Sequence, residues 1–349
     1  MKKILKIVLL VILTPIVLFA FFLLYSTISN YQPDDKERIA NLKGKVIDVR
    51  DTLNVFNWNI GYAGLGDDMS FFYDGGEMVR TTKERTDKNF QAILHQLKQH
   101  DSIDFFLLQE VDLDSKRSYN QNQFDSISSQ FPLYSSFFAF NYKVDFVPIP
   151  ATDPLGRTRS GLASYSKNEP FSVVRAAFQG NYSWPMGIFM LDRCYMVQRF
   201  YTSDGKEFVL INTHNSAYDD GSLRKEQMKL LREFLLSEYE LGHYVIVGGD
   251  WNQMPPNDSL KNVEYNDKHL TRLRIDSDFM PEGWNWVFTE DIPTNRMINE
   301  AYNKETTIQS TIDFFLLSPN VESLGLNVID LQFKNSDHQP MVLSFSFKN

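Results

Sequence analysis

The stretch VIVGGDWNQMPP, residues 245–256, sets small and branched apolar residues against an abrupt end in an acid, an amide and two prolines. Val245, Ile246 and Val247 read as a buried strand. Asp250 and Asn252 then require partners, because burying an unpaired amide costs about 2–7 kcal/mol and an isolated carboxylate more. One reading is an ordinary turn, since Gly, Asp, Asn and Pro each favour turns for backbone reasons. The other is a chemical site at the end of a strand. The stretch taken alone leaves both open.

Five more apolar runs surround it: LNVFNWNI (53–60), DFFLLQEVD (104–112), EFVLINTHN (207–215), DFFLLS (313–318) and MVLSFSF (341–347). Phe90, Ile93, Leu94 and Leu97 fall at helical spacing between the first two, and Met228, Leu231, Phe234 and Leu235 do so before YVIVGGDWN (244–252). Both helices are expected to cover a sheet. No repeat and no Gly/Ser-rich break divides residues 42–349, so one α/β domain is expected there.

Polar groups recur at matching places in these runs. Asn59, Glu110 and His214, then Asp250 with Asn252, close the first four in chain order; Asp313 opens the next, and Asp337 with His338 precedes the last. Antiparallel neighbours would bring all of them to one edge of the sheets. Glu110, Asp337 and Asn59 are hard oxygen donors of the kind Mg²⁺ prefers, and so few carboxylates leave room for waters and a substrate phosphate. Asp250 and Asn252 can together hold a water or a phosphate oxygen opposite the metal. His214 and His338 can donate a proton or a hydrogen bond near neutral pH, with Asp313 able to fix the tautomer of one.

The N-terminus, MKKILKIVLLVILTPIVLFAFFLLYSTISN, places lysines before an apolar run over residues 7–24. As a helix that run reaches about 27 Å, close to the hydrocarbon thickness of a bilayer. It is longer than a signal-peptide core and is followed by only a weak cleavage site at residues 27–29, which favours an uncleaved anchor. Residues 1–25 are expected to be a transmembrane anchor, 26–41 a linker and 42–349 the catalytic domain. Lys2, Lys3 and Lys6 should stay cytoplasmic, giving a single-pass protein with its catalytic domain outside the cytoplasm. The formal charge is −9, and beyond the first thirty residues 32 basic side chains face 44 acidic ones, a charge of −12. Such a body is no general polyanion binder unless a local basic patch intervenes. The single cysteine, Cys194, excludes an intrachain disulfide and a cysteine-cluster zinc site.

The motifs NWNI (57–60), LLQEVD (107–112), GLASYSK (161–167), INTHN (211–215), GGDWN (248–252), IDFFLLS (312–318) and SDHQP (336–340), in that order, resemble those of the endonuclease/exonuclease/phosphatase superfamily. The resemblance implies a DNase I-like four-layer α/β sandwich, two mainly antiparallel β-sheets flanked by helices. It also implies that Glu110 and Asn59, with Asp337, are metal ligands, that Asp250 orients or deprotonates the attacking water, and that Asn252 binds phosphate. His338 matches the catalytic histidine, held by Asp313. His214 matches the histidine of nucleases, sphingomyelinases and inositol-phosphate phosphatases, where abasic-site endonucleases place a tyrosine. Gly61 departs from the acid that those repair enzymes carry.

The expected activity is therefore a membrane-anchored phosphoesterase using Mg²⁺, with Mn²⁺ or Ca²⁺ as alternatives, that cleaves phosphodiesters, or monoesters, by direct water attack. The charge favours a lipid headgroup or small phosphoester over nucleic acid; a surface nuclease is the alternative, and a silent binding module is a third reading. The partners are that substrate and the membrane, and no protein partner is implied. Asp112, Arg117, Arg157 and Arg159 could touch substrate, although charges in loops are more often solvated, and the tryptophans 184, 251, 284 and 286 read as either core or a binding wall.

Overall fold

Each of the six runs is a strand in the computed structural model, which describes residues 2–217, 221–257, 266–267, 270–271 and 273–348. One sheet runs, in spatial order, Lys36–Asn41, Ser172–Ala177, Cys194–Thr202, Glu207–His214, Tyr244–Asp250, Asp313–Leu317 and Asn285–Val287, with Val46–Ile47 pairing alongside Cys194–Thr202. The other runs Val321–Val328, Met341–Phe347, Leu53–Asn59, Phe105–Asp112, Gly156–Ser166 and Ser135–Val147. Neighbours within these two sheets are antiparallel except at Leu53–Asn59 beside Phe105–Asp112, Glu207–His214 beside Tyr244–Asp250, and Val46–Ile47 beside Cys194–Thr202.

The reason the central strands read as unbroken apolar runs is that both of their faces are covered. Tyr244 and Ile246 point between the sheets, meeting Val55, Leu107 and Phe315. Val245 and Val247 point the other way, onto Met228, Leu231 and Leu235 of the helix Ser222–Glu240. In the second sheet Phe56, Phe106 and Leu108 face outward onto Phe90, Ile93 and Leu97 of the helix Lys83–Lys98 and Ile127 of the helix Gln123–Gln130. The result is the expected stack of helix, sheet, sheet and helix. Thr82 caps the helix Lys83–Lys98 by accepting from the Arg85 N–H at 3.2 Å.

A buried amide layer crosses the sandwich directly beneath the site edge. Gln109 Nε2 donates to Asn57 Oδ1 at 2.9 Å and to Asn212 Oδ1 of the opposite sheet at 2.7 Å. Asn212 Nδ2 in turn donates to the Leu108 and Ala163 carbonyls, each at 3.1 Å. Polar groups sealed in this way fix which residues face each other, because any slip leaves them unpaired.

The N-terminal helix runs Lys2–Ile28, a little past the boundary expected from sequence, and is long and apolar enough to cross a membrane or to serve as a signal sequence. Residues 36–41, read from sequence as linker, form an edge strand paired with Ser172–Ala177. Its charges, Lys36, Glu37 and Arg38, disguised it: edge strands tolerate and use charged side chains, which discourage pairing with other chains.

Gly249 lies at the crossing of strand and site. A Cβ there would stand 2.1 Å from the Thr213 carbonyl oxygen of the neighbouring strand. Gly249→Ala should therefore lower stability by about 1–3 kcal/mol or more, measured as a shift of the denaturant midpoint. An unchanged midpoint would show that the two strands are not packed this closely.

Candidate active site

Strand pairing delivers the side chains. The register places Asp250 opposite His214 on one side and Asp313 on the other. After Asp250 the backbone turns: Asn252 takes a left-handed conformation at φ 51°, and its N–H donates to Asp250 Oδ1 at 2.9 Å. Trp251 folds back onto Phe314, stacked at 4.9 Å. The turn and the site are thus the same feature. Asn252 is held by its own side chain, whose Nδ2 donates to the Asn215 carbonyl at 2.9 Å.

Glu110 is aimed by an irregularity in its strand. The register with Gly156–Ser166 shifts between Leu108 and Val111, and Glu110 sits at φ 54°, a left-handed conformation that costs a non-glycine residue energy and recurs at functional sites. From the adjacent strand, Asn59 donates through Nδ2 to Asp250 Oδ2 at 2.9 Å and, at 3.4 Å, to Glu110 Oε1. Its Oδ1 accepts from the Gly61 N–H at 3.0 Å. Asn59 therefore faces the acids with its nitrogen and bridges the two sheets. Gly61 has φ 50°, and a Cβ on it would approach Asp337 Oδ1 to 2.9 Å. The position that holds an acid in abasic-site repair enzymes is here the floor on which Asp337 rests.

His338 Nδ1 donates to Asp313 Oδ2 at 2.7 Å. Its Nε2 lies 3.6 Å from Asp250 Oδ2 and 3.8 Å from Asp337 Oδ2, beside the Asn295 amide at 3.0 Å. An amide can serve Nε2 in either protonation state by presenting nitrogen or oxygen. Burial alone would lower the His338 pKa, yet Asp313, Asp337 and Asp250 outweigh it and push it up to about 10. Burial raises Asp313 to about 6, against the pull of His338. His214 behaves oppositely: burial, with the charges of Arg193, His338 and Arg117, holds it well below the usual histidine range. It is a neutral imidazole, with Nε2 3.5 Å from Asp250 Oδ2 and Nδ1 3.4 Å from the Asn141 amide.

Asp250, Asp313 and His338 form a buried cluster whose ligand atoms lie within 4.8 Å of one another, consistent with a divalent metal site, but the His338–Asp313 bond leaves the carboxylates beside it to receive an ion. The wider donor set fits such an ion as well. Burial, opposed by His338 and Arg296 and aided by the facing Glu110 carboxylate, raises Asp337 to about 7. Acids that crowd one another in this way are relieved by a hard cation.

A cleft of about 950 Å³, its open mouth included, runs above these groups. Tyr62, Tyr73, Tyr142 and Phe71 line it together with Arg117, Arg193 and Arg296. Sequence reading missed most of this wall, because its residues come from loops and strand flanks without a motif. Asp112 and Arg117, open in the sequence between substrate contact and solvation, are paired inside the fold. Both are buried: Arg117 clamps Asp112 at 3.0 and 3.2 Å, stacks 3.7 Å above the Tyr62 ring and stands 3.9 Å from Glu110. The signal was present in LLQEVD, where an acid continues a buried strand and must have a partner. Arg157 and Arg159 do pair at the surface, with Asp114 and Asp145. Trp251 and Trp284 are core, Trp286 packs against them, and Trp184 lies exposed far along the chain from the others.

The model of the endonuclease/exonuclease/phosphatase family matches residues 56–338. The chain belongs to this family. Its fold and the Asp250, Asp313 and His338 cluster support a metal-dependent phosphoesterase, a hydrolase of that family. No curated protein matches the chain in sequence. Among solved structures, a family member from Beutenbergia cavernae is 15% identical, with a TM-score of 0.59, covering 86% of this chain and 72% of that one. The human Nocturnin catalytic domain with bound sulfate is 16% identical at TM-score 0.54, covering 88% and 97%. TDP2 of D. rerio, complexed with a single-strand DNA product, is 14% identical at TM-score 0.54, covering 85% and 99%. At such identities the likeness is one of fold.

The Asp313–His338 bond carries a direct expectation for this family site. Asp313→Asn keeps the size of the side chain but removes the charge that holds the imidazole, and should lower kcat by about 10²–10⁴-fold with an unchanged circular dichroism spectrum. Activity within a few-fold of wild type would show that His338 works without its acid.

Proposed function

We propose that the protein is a Mg²⁺-dependent phosphodiesterase acting on nucleic acid or nucleotide-type phosphoesters. The observation that carries this reading is the convergence of Glu110, Asp337, Asp250, Asp313, His338 and His214 at the base of one cleft. Glu110 and Asp337 would hold the ion, with Asn59 keeping Glu110 and Asp250 apart and oriented. Bound there, the ion would neutralise charge on the phosphoryl and leaving oxygens. Asp250 orients a water and takes its proton as the water oxygen bonds to phosphorus. The charged His338, steadied by Asp313, stabilises the growing negative charge on a phosphoryl oxygen. The neutral His214 donates a hydrogen bond to a phosphoryl or leaving oxygen as the ester bond breaks. Asn252 borders the same space.

Two features support the nucleotide-type substrate. Arginines and aromatic rings interleave along the cleft, a combination that suits phosphate beside a stacked base. Of the three arginines, Arg193 is the partly exposed one, while Arg117 is committed to Asp112 and Arg296 to the Gly66, Met297 and Glu300 carbonyls. The fold is shared with a protein solved with a single-strand DNA product. A lipid headgroup or small phosphoester is the second reading, favoured by the N-terminal helix and the acidic body. In either case we take the helix as an uncleaved anchor, with Lys2, Lys3 and Lys6 in the cytoplasm and the catalytic domain outside it.

The test uses the full-length protein in detergent against single-stranded DNA and RNA, dinucleotides, sphingomyelin and phosphoinositides. Turnover should require Mg²⁺, stop in EDTA and return on adding Mg²⁺, and should be fastest on the nucleic-acid substrates. Glu110→Gln should lose at least about 10²-fold in kcat while remaining folded. Undiminished turnover after EDTA and dialysis would refute metal dependence, and faster turnover on lipid than on any oligonucleotide would favour the second reading.

A further inference from the structure

The helix Lys2–Ile28 does not stand clear of the catalytic domain. Phe22 stacks on Phe189, with ring centroids 5.7 Å apart and planes 7° from parallel, and meets Phe146 edge-on at 6.0 Å. Phe22 and Leu23 pack together against the buried cluster that includes Tyr142, Val144 and Ile188. Farther along the helix, Trp184 Nε1 donates to Thr27 Oγ1 at 3.1 Å.

These contacts set a depth. The apolar run of residues 7–24 rises about 27 Å, slightly less than a hydrocarbon core of about 30 Å. Phe22 therefore lies within a turn of the outer hydrocarbon boundary, and whatever touches it lies at that level too. The domain presents large apolar side chains there: Trp184 is 62% exposed, Met186 50% and Phe146 43%. Tryptophan favours the headgroup level of a bilayer, where its ring is apolar and its N–H finds a partner. The neighbouring charges, Lys143 and Asp145, are of opposite sign, so the patch suits a zwitterionic surface.

The same segment backs the active site. Tyr142 donates from its hydroxyl to the Phe189 carbonyl at 3.1 Å, and Tyr142, Met190 and Leu191 line the cleft. We propose that Trp184, Met186 and Phe146 form a second membrane contact, in which the outer leaflet of a bilayer covers the patch beside the helix and the Tyr142–Met190 wall of the cleft lies directly behind it. This rests on reading the helix as an uncleaved anchor.

The full-length protein, reconstituted into phosphatidylcholine vesicles, tests it. Trp58, Trp251 and Trp284 are buried and Trp286 partly so, which leaves Trp184 as the tryptophan open to lipid. Phosphatidylcholine brominated near the headgroup should quench part of the fluorescence, and Trp184→Phe should lose that part. A second probe is Met186→Cys carrying an environment-sensitive dye. Cys194 is buried, with a thiol pushed up to about 11 by that burial, so labelling should be confined to the new cysteine. The dye should shift to the blue on transfer from detergent to vesicles. Protein that floats with the vesicles and resists alkaline extraction, yet shows equal quenching in wild type and Trp184→Phe and no dye shift, overturns the second contact and leaves the anchor standing. Protein that does not float overturns the anchor and the contact together. A dye shift that appears in detergent and grows with protein concentration assigns the patch to a second copy of this chain and overturns the membrane contact.

Discussion

Asp250 is a carboxylate that the fold has to bury, and the arrangement of both sheets follows from how it is satisfied. It ends a central strand, is 2% exposed, and receives a hydrogen bond from Asn59 across the sandwich. One of its oxygens holds the turn that follows, through the Asn252 N–H. The other is shared among Asn59, His214 and His338 at 2.9, 3.5 and 3.6 Å. An uncompensated charge in that position would cost several kcal/mol. Each compensating group is fixed in turn: Asn59 by the Gly61 N–H, His214 by strand register, His338 by Asp313. The amide layer of Asn57, Gln109 and Asn212 below keeps the two sheets from sliding, which would separate Asn59 from Asp250.

The surrounding acids divide into two kinds by how they are neutralised. Asp313 is answered by an imidazolium, and Asp112 by the Arg117 fork. Asp337 and Glu110 crowd one another with less compensation from the protein, and burial raises Asp337 to about 7. The first kind maintains geometry in any ionic environment. The second kind is where a divalent cation has most to offer, and it borders the cleft. The two histidines diverge for the same reason, since His338 sits among carboxylates while His214 is buried near Arg193 and Arg117.

Much of this was legible in the sequence because it lies on strand ends. A strand buried on both faces announces itself as an apolar run, so the acid or amide that closes it stands out; Asn59, Glu110, His214, Asp250 and Asp313 were visible for that reason. Asp337 and His338 precede a strand and were visible by the same contrast. Residues contributed by loops and by the flanks of long strands, such as Tyr62, Tyr142, Arg193 and Arg296, carry no such contrast and come together only in three dimensions. Arg117 could not be placed from sequence because a charge in a loop is ordinarily solvated, whereas here a buried acid at the end of the preceding strand draws it inward. The edge strand Lys36–Asn41 was lost among its own charges.

That edge strand sets how short a tether the N-terminal helix would give if it is an anchor. Only residues 29–35 separate the end of the helix at Ile28 from the first sheet residue, Lys36. A chain of that length spans at most about 25 Å even when fully extended. With the helix in a bilayer, the catalytic domain is confined to a layer roughly as deep as its own radius and is held to a narrow range of tilts. Diffusion is then two-dimensional, and encounter rates are governed by the surface density of the phosphoester and not by its bulk concentration. A long polymer can satisfy that condition by draping along the surface, and a lipid satisfies it by residence. A dilute soluble metabolite gains nothing from it.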